Sequence, residues 1–576
     1  MTPAAADFPP PRPRSSCLRQ WLEAALLVGV VLALGLPGID TRGIIAEEVQ
    51  PFLPRHPHVL DMQGDQPVQL PPYEQSAPPR PRWLVTPTWP QYGWEGEDRF
   101  WPVAVKGYLS AIPAYPGILL GPWLGEGMGG YRRVSLVLTA LLVLLVWRLG
   151  RRWQLDQPLL PALLCATSFG VLMVGRTGYA FEICARLGMV ATLWLGSGPS
   201  RPKLTGAMAG LAVLCRVPVG IALAPALAGV WRWSGEKLWS RKWLTIAAGL
   251  LVLPVLLTLA LVVVGAGQGE TVPLSGFPWH TLPQRLMTSP RQAVLVAAWL
   301  GNPAAVFAPI VRQSFEHVSL FWPALWGMLP IFAGAGLLAA GRAGLASRCL
   351  LLAFLATVLG TALLYVRPGE FTLALPLEAL WCLAIAEQLQ AIPWPRLGTM
   401  LTAGVLLLRL LGLGEGLALD RQADNPMWSG SCQRGAAQWL QNHGVLGQDL
   451  VTTTYNQVGV LEMWSGGILT PNHAWRLLKT DPGRTPEQTW PLLLQALHPR
   501  WVLLSRGGNL WETDGIDPER IAASLAATCG ALGWQYQVAA QFPTESGRVG
   551  WIVVQLTPAA TAKLLAPISP LPANNR

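Results

Sequence analysis

The sequence predicts a mainly α protein, a polytopic transmembrane helix bundle of about 11 spans with a small C-terminal α/β extracytoplasmic domain. Three observations predict it. Hydrophobic residues fill 51% of the 576 positions and charged residues only 13%, with a mean hydropathy of +0.36. Soluble domains carry about 25% charge. Apolar runs of about 20 residues, the length that crosses a hydrocarbon core, recur over the first 420 positions. Beyond them the texture changes to short β-rich runs and amphipathic helices.

This composition argues against a water-soluble enzyme, a disordered scaffold or a small disulfide-knitted module. The net charge of +10 belongs to cytoplasmic loops and gives no reason to expect nucleic acid. The eight cysteines form no CxxC pair, so zinc-ribbon and thioredoxin readings lack support. Cys432 and Cys529 lie in the polar C-terminal part, either as a disulfide or as two buried thiols.

Residues 1–19 are Pro-rich and basic and are read as a disordered cytoplasmic N-terminus. The run 21–39 has no small-x-small cleavage site after it and reads as a retained anchor. Further spans fall near 131–148, 157–175, 180–197, 203–216, 218–232, 243–266, 320–341, 348–366, 371–389 and 397–418. With the N-terminus inside, Arg148, Arg151, Arg152, Arg201, Lys203, Arg232, Lys237, Arg241, Lys242, Arg342, Arg348 and Arg396 all face the cytoplasm. That pattern requires 203–232 to break at Arg216-Val217-Pro218, where proline removes a donor and disfavours helix before it. It also requires the apolar run 291–311 to be a surface or re-entrant segment.

The membrane domain then covers 20–420, with outer loops at 40–130 and 267–319. An α/β domain follows over 421–560, and 561–576 is a disordered tail. In that domain 449–455, 500–505, 534–540 and 549–556 read as strands, and 433–444 and 517–533 as helices. Asp517 is the expected N-cap and Pro518 the N1 residue of the second helix. All seven histidines fall in the outer segments, so the polar apparatus gathers on one face. No internal repeat is present, which weakens an inverted-repeat transporter reading.

Chemistry can start at Asp40, in GIDTRGIIAEEVQ just after the first span. A carboxylate at a helix end can stay ionised and take a proton from a hydroxyl nucleophile, general-base work worth about 10²–10⁴-fold. Arg42 follows, and a guanidinium offers a phosphate a planar fork of donors. The bland alternative is that both residues mark the water boundary. In GRTGYAFEICARLG (175–188), Arg176 and Glu182 sit at the junction of two spans. Ionisable groups cost about 2.5–3.5 kcal/mol at mid-bilayer, so Glu182 and Arg186 should face the bundle or water. A structural Glu182–Arg186 pair at i, i+4 is the competing reading. Arg216 at its break could attract a phosphate or bind helix carbonyls. In LLYVRPGEFTLALPLEALW (363–381), Arg367 and Glu370 flank a helix start, where they contact a head group or anchor the interface.

These elements together resemble the GT-C superfamily of integral-membrane glycosyltransferases, over roughly residues 20–390. The likeness is to the family-39-like branch of protein O-mannosyltransferases and aminoarabinose transferases. Asp40 is followed by a long outer loop. YRRVSLVLTALLVLLVWRLGRRW (131–153) looks like the family's arginine-led second span. GRTGYAFEICARLGMVATLWL (175–195) comes next, and GAMAGLAVLCRVPVGIALAPAL (206–227) looks like its glycine-rich stretch with a basic residue. RPGEFTLALPLEALW (367–381) is similar to its span with a central Pro.

The resemblance implies transfer of a sugar from a polyprenyl-phosphate carrier to an acceptor outside the cytoplasm, with inversion. Carried over by position, it makes Asp40 the catalytic base and places Glu182 near the family's second acidic position. Arg42 matches a phosphate-binding arginine, although that branch has one more residue between the Asp and the Arg. Lys106, in WPVAVKGYLSAIPAYPG (101–117), stands where relatives carry a Lys-Pro-Pro-Leu motif that this sequence lacks.

The residue types suit such chemistry. A phosphate leaving group needs cations rather than a proton, and Arg42, Lys106, Arg176 and Arg216 can supply them. A glycosidase would need two carboxylates flanking the bond instead. Glu47, Glu48, Glu95, Glu97, Asp98, His56 and His58 are chemically suited to a divalent metal, but their spacing specifies no geometry, and a solvated acidic loop is the simpler reading. The 28 tryptophans anchor interfaces, while Trp89, Trp94 and Trp101 could stack on a sugar.

The expected partners are the lipid-linked donor, a glycan, lipid or protein acceptor, and membrane lipids, with no nucleic acid. The expected place is the plasma membrane, bacterial by default. Two other classes compete: a transporter or flippase for a lipid-linked glycan, and a non-enzymatic envelope scaffold.

Overall fold

The computed structural model describes residues 17–43, strand segments between 58 and 105, and most of 109–558. The longer stretches outside the described residues are 1–16, 44–57, 70–81, 264–281, 313–319, 365–373, 507–517 and 559–576. The chain divides into two compact units.

The first unit runs mainly from Tyr73 to Gln422, with residues up to Arg42. Its helices are α1 (Cys17–Gly35), α2 (Tyr115–Leu124), α3 (Gly127–Arg152), α4 (Leu159–Ala166), α5 (Phe169–Arg176), α6 (Ala180–Gly196), α7 (Pro202–Cys215) and α8 (Val217–Ser234). They continue as α9 (Arg241–Val263), α10 (Leu282–Met287), α11 (Ser289–Gly301), α12 (Pro303–Arg312), α13 (Phe321–Ala339), α14 (Leu345–Leu364), α15 (Leu377–Gln390) and α16 (Pro395–Arg421).

Among the described residues, α1, α3, α13, α14 and α16 are long and apolar enough to cross a membrane. The pair α4 and α5 adds a sixth if a 58° bend is allowed within one span. Several spans are therefore supported, but the count of 11 is not. Near the end of α3, two arginines lie over tryptophan in cation–π contact, Arg148 at 5.0 Å and Arg151 at 5.2 Å from the Trp147 ring.

Three breaks shape this unit, each with a local cause. Between α4 and α5, Thr167 caps backward onto Leu163 O at 2.8 Å and Ser168 turns to an extended ψ of 125°. Between α7 and α8, Arg216 is extended at φ −156° and ψ 105°, with Pro218 two residues on. This is the break the charge pattern demanded. Between α11 and α12, Asn302 is extended before Pro303, and its Oδ1 accepts from Ala304 N at 3.1 Å.

Of the two readings of 291–311, burial speaks against the surface one, while the helix–break–helix at Asn302 is compatible with a re-entrant segment. Trp299, Leu300 and Phe307 are at most 1% exposed. Its helices pack on α13, α14 and α16, and at Gly301 and Gly327 any side chain would overlap the facing backbone.

The strands of the chain are β1 (His58–Gln63), β2 (Gln66–Gln69), β3 (Arg82–Val85), β4 (Tyr92–Glu95), β5 (Phe100–Val105), β6 (Leu109–Ser110), β7 (Leu450–Thr452), β8 (Asn472–His473), β9 (Trp501–Ser505), β10 (Gln535–Pro543) and β11 (Val549–Thr557). Strands β3 to β6 form an antiparallel sheet in the first unit, in sequence order. The sequence reading assigned no strands there, because 40–130 shows no sustained alternation.

The second unit is built on a sheet of order β10-β11-β9-β7-β8-β1-β2. Its centre is parallel, with Val451 opposite Val502, and its flanks are antiparallel, with Trp551 opposite Ser505. Helices α17 (Gly430–Asn442), α18 (Val460–Trp464), α19 (Pro486–Leu497) and α20 (Pro518–Leu532) complete it. Thr485 and Gln488 form a capping box at the start of α19. Trp490, Leu493, Ile521 and Leu525 meet Val502 and Val554 in its core. Asp517, the expected cap of α20, lies outside the described residues. Cys432 and Cys529 are two buried free thiols, not a disulfide. Burial pushes the Cys529 thiol up to about 11 and the Cys432 thiol higher still.

Candidate functional site: an aspartate among arginines

The chain leaves α1 at Leu36-Pro37 and must turn at once. Gly38 takes the turn at φ +72°, a value that favours glycine. Thr41 N and Arg42 N then donate to Gly38 O at 3.2 and 3.3 Å, and Thr41 Oγ1 donates to the same oxygen at 3.2 Å. This knot needs outside donors for its other carbonyls, and arginines from two helices supply them. Arg176, closing α5, donates from Nη2 to Pro37 O at 2.7 Å. Arg132, in the first turns of α3, donates from Nη1 to Ile39 O at 2.9 Å and Arg42 O at 3.0 Å. Buried carbonyls are thereby satisfied by charge-assisted bonds.

The knot fixes two side chains in opposite senses. Asp40 points outward and its side chain is 53% exposed. Its carboxylate pairs with Arg133 Nη2, and Arg133 is itself anchored through Nη1 on Leu124 O at 2.8 Å. Arg42 points inward, its side chain 3% exposed. Its Nε meets Asp420 Oδ1 at 3.3 Å, while Arg176 Nη1 meets Asp420 Oδ2 at 3.3 Å. One carboxylate at the end of α16 is thus shared by two arginines. The glycines of GEGMGG (125–130) make room for this arrangement. A side chain at Gly129 would collide with Asp40 Oδ1, and one at Gly130 would collide with the carbonyls of Gly121 and Gly125.

A second set of charges lies deeper in the helices. Glu182 is fully buried and pairs with Arg216 Nε at 2.8 Å. Glu378, also buried, accepts from Ser168 Oγ at 2.6 Å and from Arg186 Nη1 at 3.1 Å. The expected i, i+4 pairing of Glu182 with Arg186 is therefore replaced by two inter-helix pairs. Arg409 of α16 lies over the Trp381 ring at 4.3 Å. Gly170 has no side chain because a Cβ there would sit 2.9 Å from Glu378 Oε1.

Of the residues singled out in the sequence, the structure gathers Asp40, Arg42 and Arg176 on one short knot. It sets Glu182 and Arg216 together in a separate buried pair. Lys106, Arg367 and Glu370 lie outside the described residues, as do the side chains of Glu47, Glu48, Glu95, Glu97, Asp98, His56 and His58. Among the described residues, no group of His, Cys, Asp and Glu could hold a metal ion. Sequence reasoning missed Arg132, Arg133, Glu378, Arg409 and Asp420. Arg409 and Glu378 carried a signal, since each interrupts an apolar run. Asp420 carried none beyond marking where the last run stops.

No family model and no curated protein sequence matches this chain. Solved structures do. ArnT from Cupriavidus metallidurans in the apo state is similar with a TM-score of 0.53 at 12% identity, over 93% of this chain and 98% of ArnT. ArnT bound to undecaprenyl phosphate gives a TM-score of 0.48 at 11% identity, over 92% and 98%. The arabinofuranosyltransferase AftD from Mycobacteria gives 0.38 at 13% identity, covering 94% of this chain and 42% of AftD, so this chain spans less than half of AftD's length. The chain therefore shares the fold of ArnT over nearly the whole length of both proteins.

Proposed function

We propose that the protein is an integral-membrane glycosyltransferase that moves a sugar from a polyprenyl-phosphate carrier to an acceptor at the extracytoplasmic face, with inversion. The observation that carries this reading is the knot at 37–42, which holds an exposed carboxylate and two buried guanidiniums within three residues of chain and one neighbouring helix end. The fold shared with ArnT supports it. Asp40 accepts the proton of the acceptor hydroxyl as that oxygen attacks the anomeric carbon. The bond to the phosphate oxygen breaks on the opposite side, and the pair of electrons stays on the phosphate. Arg42 and Arg176 stabilise the charge that grows there. No proton is needed by that leaving group.

Arg133 orients Asp40 and keeps it turned toward the acceptor side. Asp40 rather than Glu182 is the base, because Glu182 is wholly buried against Arg216. That pair, with Glu378 and Arg186, braces the helices that carry Arg176. Lys106 remains a proposed phosphate ligand from the family resemblance. The N-terminus is cytoplasmic and the α/β unit extracytoplasmic in this reading, where it would orient the acceptor. A transporter would place its charges to bind at mid-membrane. Here the accessible carboxylate lies at a helix exit.

The test is mass spectrometry of cell-surface glycans and lipids from a strain lacking the protein, against its parent and against the strain complemented with wild type or Asp40→Asn. Loss of one sugar modification, restored by wild type and not by Asp40→Asn, is expected. Unchanged glycan and lipid profiles under conditions where the protein is made would refute it.

A further inference from the structure

Asp420 stands in the last turn of α16, where the backbone dipole presents partial negative charge and disfavours a carboxylate. Two arginines hold it there against that field. Both contacts are 3.3 Å, wider than the roughly 2.7–2.9 Å of a charge-assisted N–H···O bond. The side chains of Arg42 and Arg176 are 3% and 7% exposed, and Asp420 is 11% exposed. Arg132 and Arg421 are further cationic neighbours of Arg176. Among the described residues, one carboxylate is thus shared by two buried guanidiniums. Buried cations of this kind are costly unless an anion accompanies them.

We propose that Asp420 is a resident counter-anion that occupies the phosphate-binding arginines and competes with the lipid phosphate for them. The inference rests on the glycosyltransferase reading above and adds a residue to it. Asp420 is a positioning residue, acting through Arg42 and Arg176 rather than on the reacting atoms. When phosphate arrives, the carboxylate yields its two loose contacts to phosphate oxygens, which offer both guanidiniums better geometry. The competition matters most after transfer. The donor phosphodiester carries one negative charge, whereas the released polyprenyl phosphate carries up to two and is held more strongly by the same cations. An internal carboxylate ready to retake the arginines speeds departure of that product.

The experiment uses the full chain in lipid nanodiscs, with undecaprenyl phosphate as the probe and turnover of a polyprenyl-phosphate sugar as the second readout. Asp420→Asn should bind undecaprenyl phosphate about tenfold more tightly. Its kcat and KM should fall together, with a burst of one turnover before slow product release. Asp420→Glu, which keeps the charge, should bind within threefold of wild type. A purely structural ion pair predicts the opposite: Asp420→Asn would bind equally or more weakly, with KM raised, and that overturns the proposal. If Asp420→Asn does not fold, Asp420→Ser is measured in its place. Failure of both variants to give monodisperse protein would make Asp420 an obligatory structural ion and equally overturn it. Absence of binding by the wild type would sink the glycosyltransferase reading itself. Wild-type binding without tightening in the variants sinks only the role of Asp420.

Discussion

Replacing Glu378 with leucine would leave Arg186 buried without its carboxylate and free the Ser168 hydroxyl. Both partners are essentially excluded from solvent, with side-chain exposures of 2% for Arg186 and 1% for Glu378. Removing one member of such a pair costs about 3–5 kcal/mol, because the remaining charge keeps its desolvation penalty. Taking about 4 kcal/mol and an unfolding entropy near 2.1 cal/mol/K per residue over ~350 residues gives a fall in Tm of roughly 5 °C. The assay is thermal unfolding in detergent, followed by loss of monodisperse protein. Glu378→Gln keeps a hydrogen-bond acceptor for Ser168 and should lose less. The double variant Glu378→Leu/Arg186→Leu removes both charges and should recover most of the loss, since an apolar pair of similar size is often as stable as the ion pair. A Glu378→Leu protein within 1 °C of wild type, or a double variant no better than the single one, would refute this reasoning.

Other perturbations separate the site from its scaffold. Arg42→Ala and Arg176→Ala should each weaken undecaprenyl phosphate binding about 10- to 100-fold, the worth of a hydrogen bond to a charged group, as read by titration in nanodiscs. Gly129→Ala should favour the α3 helix by up to about 1 kcal/mol, yet push Asp40 aside and cut turnover by about 10²-fold, so stability and activity move in opposite directions. In the second unit, Arg520 and Thr485 draw the Glu487 carboxyl down from 4.5 to about 2. A depressed carboxylate stabilises the fold above its ordinary pKa and loses that contribution as pH falls toward about 2. Arg520→Ala should return the Glu487 titration toward 4.5 by carboxylate NMR and lower stability at neutral pH only slightly, because both partners are about half exposed.

Much of the helical organisation was legible because its causes are local. Apolar runs of span length, arginines at their ends and prolines at their breaks act within a few residues of themselves. Arg216 shows this well: the charge pattern required a break, and Pro218 supplied the means. For 291–311 the sequence left a surface and a re-entrant segment open, because hydropathy cannot distinguish a lipid-facing surface from a protein-buried one. The burial of Trp299, Leu300 and Phe307 and the close contact between Gly301 and Gly327 decide against the surface. Strands β1 and β2 were invisible for a related reason. They are short, and the partner β8 that joins β1 to the sheet lies more than 400 residues away in the chain.

The candidate site was half legible. Asp40 and Arg42 stood out as charges beside an apolar run, and Arg176 as a charge between two. Which cation meets which anion was not readable, since Glu182 finds Arg216 and Arg186 finds Glu378 across helices. Asp420 was the least visible, because its meaning arises only where Arg42 and Arg176 converge on it.

The most direct measurement is the initial rate of sugar transfer from a defined polyprenyl-phosphate donor by Asp40→Asn, against wild type in the same vesicles. A loss of about 10²–10⁴-fold, with undecaprenyl phosphate affinity kept within threefold, is expected of a missing base beside intact arginines. Transfer at the wild-type rate would contradict it.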